Sequence, residues 1–152
     1  RLLTLERGMR LPRALEMTLI FYNMNILRDF FIVGCGSFLG GGSRFLVSRL
    51  VGAIWASSFP MATFVVNLLG CLLIGFVSSL PSTLSWLSPQ ARLLLTTGFC
   101  GGLTTFSTFM NENLSLANDQ NYLCLFVYLV GSFALGLLFV WAGGALAKII
   151  AM

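Results

Sequence analysis

Residues 93–111 read LLLTTGFCGGLTTFSTFMN and contain no charged side chain. A run of this length can cross a hydrocarbon core of roughly 30 Å as a helix, which takes about 20 apolar residues. Its centre is not that of an ordinary membrane helix, because Gly101 and Gly102 are followed closely by four hydroxyl residues, Thr104, Thr105, Ser107 and Thr108. Glycine weakens a helix, and hydroxyl side chains compete for its backbone hydrogen bonds, so the pattern predicts a break near mid-span. Irregular backbone at membrane depth survives only where it is buried or lines a polar cavity, and carbonyls freed there can bind a hard cation.

Working outward, residues 122–147 form a second uncharged run, with length to spare for tilt. Residues 61–80 form another, opened after Pro60 and closed by Pro81. The remaining apolar run, Phe30 to Ser43, is too short alone and must continue past Arg44 to Leu50, which places Arg44 at or inside the membrane boundary. The expectation is an all-α, polytopic membrane protein of four transmembrane helices, the third broken near its middle. Val51 to Pro60, Pro81 to Gln90 and Asn111 to Asn121 carry the Ser, Pro, Asn and Gly of short connections. Gly36 and Gly40, like Gly98 and Gly102, have the small-xxx-small spacing that lets helix backbones approach in lipid.

Composition agrees and excludes several function classes. The chain of 152 residues is 57% hydrophobic and only 9% charged, with a mean hydropathy of +0.91, whereas soluble domains carry about 25% charged residues. Of its nine Lys and Arg, Arg1, Arg7, Arg10 and Arg13 lie at the start, so no basic stripe remains for nucleic acid. Residues 1–23 mix Arg with Glu and are expected to be a leader without a span, the four-helix membrane domain being residues 24–152 beginning at Met24. Cys35, Cys71, Cys100 and Cys124 are too far apart in sequence for a redox pair or zinc motif and read as small buried residues. Histidine is absent, which removes the commonest general base and metal ligand. No enzyme constellation is visible.

Several polar residues remain to be explained. Beyond the expected break, Thr105, Thr108 and Glu112 share one helix face by their spacing, and Phe106 and Phe109 share a neighbouring one. Ring edges are electropositive, so two phenylalanines turned edge-on can favour a small anion, although a Phe pair at this spacing is more often packing. Asn67, central in the second span, brings two N–H donors suited to an anion or to an interhelical bond. Tyr128 adds a phenolic donor to the fourth span, where a tyrosine near a helix end is commonly an interfacial anchor. Neutral donors and ring edges, with no buried Lys or carboxylate pair, fit an anion pathway best.

Gly101 to Phe109, GGLTTFSTF, resembles the third-helix signature of the Fluc (CrcB) fluoride channels. The resemblance runs from about Met24 to the C-terminus and takes in GGGSR ending at Arg44, NLLGCLLIGF from Asn67, and Tyr128. It implies an antiparallel, dual-topology homodimer in the cell (inner) membrane, with two fluoride pores and a structural Na+ at its centre, exporting fluoride passively. Carried across, Phe106 and Phe109 become the ring-edge residues and Asn67 the amide donor. Ser107, Thr108 and Tyr128 line a polar track, Glu112 stands near a pore mouth, and Arg44 draws anions to a vestibule. The backbone carbonyls of Gly101 and Thr104 hold the sodium, two from each subunit.

Charge bias is slight from Met24 onward: Arg28, Arg92 and Lys148 lie toward one side of the membrane and Arg49 toward the other, with Arg44 at or inside the boundary near it, so either orientation can insert. The leader arginines would favour one orientation. Two other functions compete. A small dual-topology drug/proton antiporter needs an acidic residue deep in a span, whereas Glu112 is expected to end the third helix. A noncatalytic scaffold leaves Asn67 and the hydroxyl ladder unexplained.

Overall fold

The computed structural model describes residues 13–55, 57–81 and 87–151, with side chains from residue 24 onward. Residues 1–12, part of the expected leader, lie outside that description. Among the described residues every regular element is helical. Four segments are long and apolar enough to cross a membrane: Met24–Ile54, Met61–Ser79, Pro89–Asn118 and Tyr122–Ile150.

The first span belongs to α1, Arg13–Ile54, whose backbone starts well before the expected Phe30. Its 42 residues would measure about 63 Å, roughly twice a hydrocarbon core. Helix geometry therefore continues through residues 13–23, and the membrane boundary falls within the helix. The second span is α2, Met61–Ser79, entered after Pro60 and left at Leu80, whose extended backbone precedes Pro81. A residue before proline is driven out of the α region, so Pro81 stops the helix where the sequence suggested.

Four segments in series make the third span. These are α3, Pro89–Leu93, then a π-helical stretch, Leu94–Cys100, then α4, Gly101–Leu103, and after the break α5, Phe106–Asn118. Ser88 caps α3, its hydroxyl accepting the Ala91 N–H at 3.1 Å. Arg92 reaches back to the end of α2, donating from Nη1 to the Val77 carbonyl at 2.5 Å and from Nη2 to the Leu80 carbonyl at 2.8 Å. Those carbonyls have no helical donor of their own, so the guanidinium both satisfies them and fixes the hairpin.

Asn111 to Asn121 is not the connection that its Asn and Ser content suggested. α5 continues to Asn118, and the turn is only residues 119–121. Asn113 Nδ2 bonds the Phe109 carbonyl one turn back at 2.7 Å and Glu112 bonds neighbouring helices, so these polar groups are used inside the helix. Gln120, at φ 58°, supplies the left-handed residue of a Schellman closure, with Asn121 N–H reaching the Leu116 carbonyl at 2.9 Å. Asn121 then caps α6, Tyr122–Ile150.

Helices in lipid gain little from apolar burial against one another, so close backbone contact must hold the bundle. A Cβ added at Gly36 would lie 2.8 Å from Gly98 Cα, and one at Gly75 would strike the backbone of Val140 in α6. Both interfaces, α1 with the π-helical stretch and α2 with α6, depend on that missing atom. The outward faces are apolar, with Phe38, Leu123 and Trp141 largely exposed. This is a multi-pass membrane protein.

Candidate functional site: the break in the third span

Thr104 (φ −80°, ψ 157°) and Thr105 (φ −151°, ψ 113°) are both extended, and they separate α4 from α5. Two side chains take over the hydrogen bonds that a continuous helix would have made. Thr105 N–H, which in a helix would close onto the Gly101 carbonyl, donates instead to Asn67 Oδ1 at 2.9 Å. Thr108 N–H, the helical donor for the Thr104 carbonyl, donates to Thr105 Oγ1 at 3.3 Å. The Gly101 and Thr104 carbonyls are thereby freed of their helical donors. Thr105 Oγ1 also donates to Thr108 Oγ1 at 3.0 Å and lies 3.4 Å from Ser107 Oγ. The hydroxyl ladder is thus a helix cap as well as a polar surface.

Asn67 completes the bracket by donating from Nδ2 to the Thr105 carbonyl at 3.4 Å. The amide therefore does the interhelical work that was one of its two sequence readings, with one N–H left over. Phe106 and Phe109 part company. Phe106 is 69% exposed and Phe109 only 5%, their ring centroids 6.2 Å apart. Phe109 meets the Tyr128 ring edge-on at 4.9 Å and that of Phe133 at 6.3 Å. A cavity of about 740 Å³ opens beside the break, lined in part by Asn67, Gly101, Thr104, Phe106, Phe109 and Ser132.

A second polar cluster sits one to two turns further along α5. Both oxygens of Glu112 are held at 2.7 Å, Oε1 by the Thr63 hydroxyl and Oε2 by the Tyr128 hydroxyl. Tyr128 is fully buried, which rules out an interfacial anchor, and its ring packs on Phe59 and Phe64 as well as Phe109. Glu112 lies inside α5, six residues before its end, not at the end of the third helix. A partly buried carboxylate needs such donors, since unpaired it would be expensive in this setting.

The structure thus gathers five of the expected residues on the cavity, namely Asn67, Gly101, Thr104, Phe106 and Phe109. It joins Glu112 to Tyr128 beside them and leaves Ser107 and Thr108 exposed at the start of α5. Arg44 is half-buried on α1 and does not line the cavity. Thr63 and Ser132 were not foreseen. Thr63 lies one helical turn before Asn67, so a hydroxyl at that spacing was the available signal.

A family model described as CrcB-like protein, Camphor Resistance (CrcB), matches residues 31–144. The chain belongs to the CrcB family. Its curated relatives include a Chlorobaculum tepidum protein named fluoride-specific ion channel FluC, 48% identical over 124 residues, covering 82% of this chain and 98% of that protein. A Prosthecochloris aestuarii protein of the same name is 46% identical, covering 78% and 91%. One from Flavobacterium psychrophilum, likewise named, is 38% identical over 80% of this chain and 98% of its own length. The matched region contains the second and third spans whole, most of the first and fourth, and every candidate residue named above.

Proposed function

We propose that this chain is a fluoride channel, passing the anion across the cell membrane down its gradient, and that it works as an antiparallel pair of identical subunits. The observation that carries the reading is the break itself. It brings the start of α5 to membrane depth, where the first-turn N–H groups and the helix dipole favour negative charge. Around it stand neutral donors and the exposed ring of Phe106, and the cavity lining contains no Asp, Glu, Lys or Arg. That environment can replace part of an anion's hydration without a fixed positive charge, which would attract chloride as well. In this reading Asn67 and Phe106 meet the ion, Ser107 and Thr108 extend the donor track, and Phe109 with Tyr128 forms its packed wall. Glu112 orders one end through Thr63 and Tyr128, and Arg44 attracts anions at a vestibule.

The freed carbonyls of Gly101 and Thr104 suit a hard cation such as Na+. Two copies meeting at the break would contribute four such oxygens. A cation there would supply fixed positive charge to tie the copies together, and the chain's own part is to hold those carbonyls out of the helix, through Asn67 and the Thr105 cap. The antiporter reading is set aside on the fluoride-channel relatives and on the double pairing of Glu112, its position in the helix no longer arguing against it. The test is efflux from liposomes. Purified chain should release fluoride without chloride or an organic cation, and release of the organic cation coupled to protons would overturn the reading.

A further inference from the structure

α2 and the third span run antiparallel, and three sets of hydrogen bonds fix their register. Thr63 pairs with Glu112, Asn67 with Thr105, and Val77 and Leu80 with Arg92. One turn from the Asn67–Thr105 bracket, toward Arg92, lies Cys71 on α2. On the facing helix of this hairpin the same depth is reached at Cys100, five residues before Thr105 and the last residue of the π-helical stretch. Interpolating the register thus sets the two cysteines level with each other across the interface. Both line the cavity beside the break, both are free thiols, and Cys100 is 3% exposed. Among the described residues no group of three or more His, Cys, Asp or Glu could hold a metal, so a zinc-type site is not available, but two sulfurs suffice for a linear, thiophilic ion.

We propose that Cys71 and Cys100 form a two-sulfur binding site for soft cations of the mercury(II), silver(I) and copper(I) class. Thiolate is the binding form and such metals prefer sulfur to the amide and hydroxyl oxygens nearby. With mercuric chloride, a neutral molecule able to reach membrane depth, two sulfur–mercury bonds form, both thiols give up their protons and two chlorides leave. No electrons are exchanged. The ion sits in the cavity one turn from Asn67, so its binding also obstructs that cavity.

The binding test is independent of fluoride conduction. Detergent-solubilised full-length protein carrying Cys35→Ser and Cys124→Ser is titrated with mercuric chloride, following bound mercury per chain and the thiolate-to-mercury ultraviolet band. One mercury per chain is expected, and adding Cys71→Ser or Cys100→Ser should weaken binding by at least about a hundredfold, since losing even an outer-shell partner of a bound metal costs up to about that much. Two mercuries per chain, or equal retention with either thiol alone, overturns the proposal. Because substituted chains can misfold, the unaltered chain is tested as well. One equivalent of mercuric chloride should protect Cys71 and Cys100 together from N-ethylmaleimide, as mapped by mass spectrometry, and protection of one without the other refutes the site. If fluoride efflux is measured in parallel, mercury should block it in the unaltered protein and not in Cys71→Ser. Unblocked efflux with mercury bound at both thiols would refute the obstruction.

Discussion

Replacing Asn67 by aspartate separates the structural from the conducting role of this side chain. The carboxylate keeps the oxygen that accepts Thr105 N–H at 2.9 Å and loses only the donor to the Thr105 carbonyl, a long bond of 3.4 Å. Losing that bond should cost near the lower end of about 0.5–1.5 kcal/mol, and the ionised carboxylate at membrane depth adds about 3 kcal/mol on insertion scales, so flux is read on the assembled fraction. Conduction should not survive. At an effective dielectric of about 20, an ionised carboxylate roughly 4 Å from a passing anion repels it by about 4 kcal/mol, which is on the order of a thousandfold in rate. Asn67→Ala should behave in the opposite sense, because it strands the Thr105 N–H at a cost of about 1–3 kcal/mol and releases the break. Its assembled fraction should fall while the surviving protein keeps some flux. A fluoride electrode on liposomes, with assembly followed by size-exclusion chromatography, reads both quantities. If well-assembled Asn67→Asp passes fluoride within about threefold of the unaltered chain, a difference under 1 kcal/mol, then Asn67 only braces the break.

Three further outcomes are expected. Phe106→Ile and Phe109→Ile should each cut fluoride flux by at least about tenfold, roughly 1.4 kcal/mol of barrier, with chloride still excluded; near-normal flux in both reduces the rings to packing. Fluoride efflux should require sodium without carrying it, so radioactive sodium moving in fixed ratio with fluoride would make the protein a symporter. In a cysteine-free chain begun at Met24, a single cysteine at Ser58 or at Asp119 should be labelled from both sides of the membrane. Labelling from one side only would refute inverted pairing.

The spans were legible because uncharged length is a strong signal and proline a reliable stop, as at Pro60 and Pro81. The break was legible because Gly101 to Thr108 concentrates residues that each weaken a membrane helix. Composition misled at Asn111 to Asn121. There a polar segment remains helical because its side chains find partners: Asn113 in its own helix, Glu112 in α2 and α6. Such pairing depends on the helices' register, which no local pattern encodes. The π-helical stretch Leu94–Cys100 was equally hidden, since its residues suit an α-helix, and so was the left-handed turn at Gln120, where glycine would have been the signal. Asn67 shows the mixed case. Its place in a span marked it for use, yet whether its amide served a ligand or a helix could be answered only by finding Thr105 beside it.

The same arithmetic gives a physical reason for the proposed second copy. Asn67 and Thr105 satisfy two N–H groups at the break and, in doing so, leave the Gly101 and Thr104 carbonyls without helical donors. Gly101 and Phe106 are both exposed in the single chain. Facing hydrocarbon, each unsatisfied carbonyl would cost several kcal/mol, and lipid has no donor to offer. A lone subunit would therefore carry its most expensive backbone on the surface least able to solvate it. In the proposed pairing, an identical subunit applied in the opposite sense would set break against break, so that the pair of carbonyls from one would meet the pair from the other. Four like dipoles converging in a dry interface repel one another unless a cation lies between them, which makes the sodium requirement and the pairing one prediction. Removing the cation should weaken the dimer as well as the flux, and a dimer unchanged in sodium-free solution, where lithium or potassium does not substitute, would break that link.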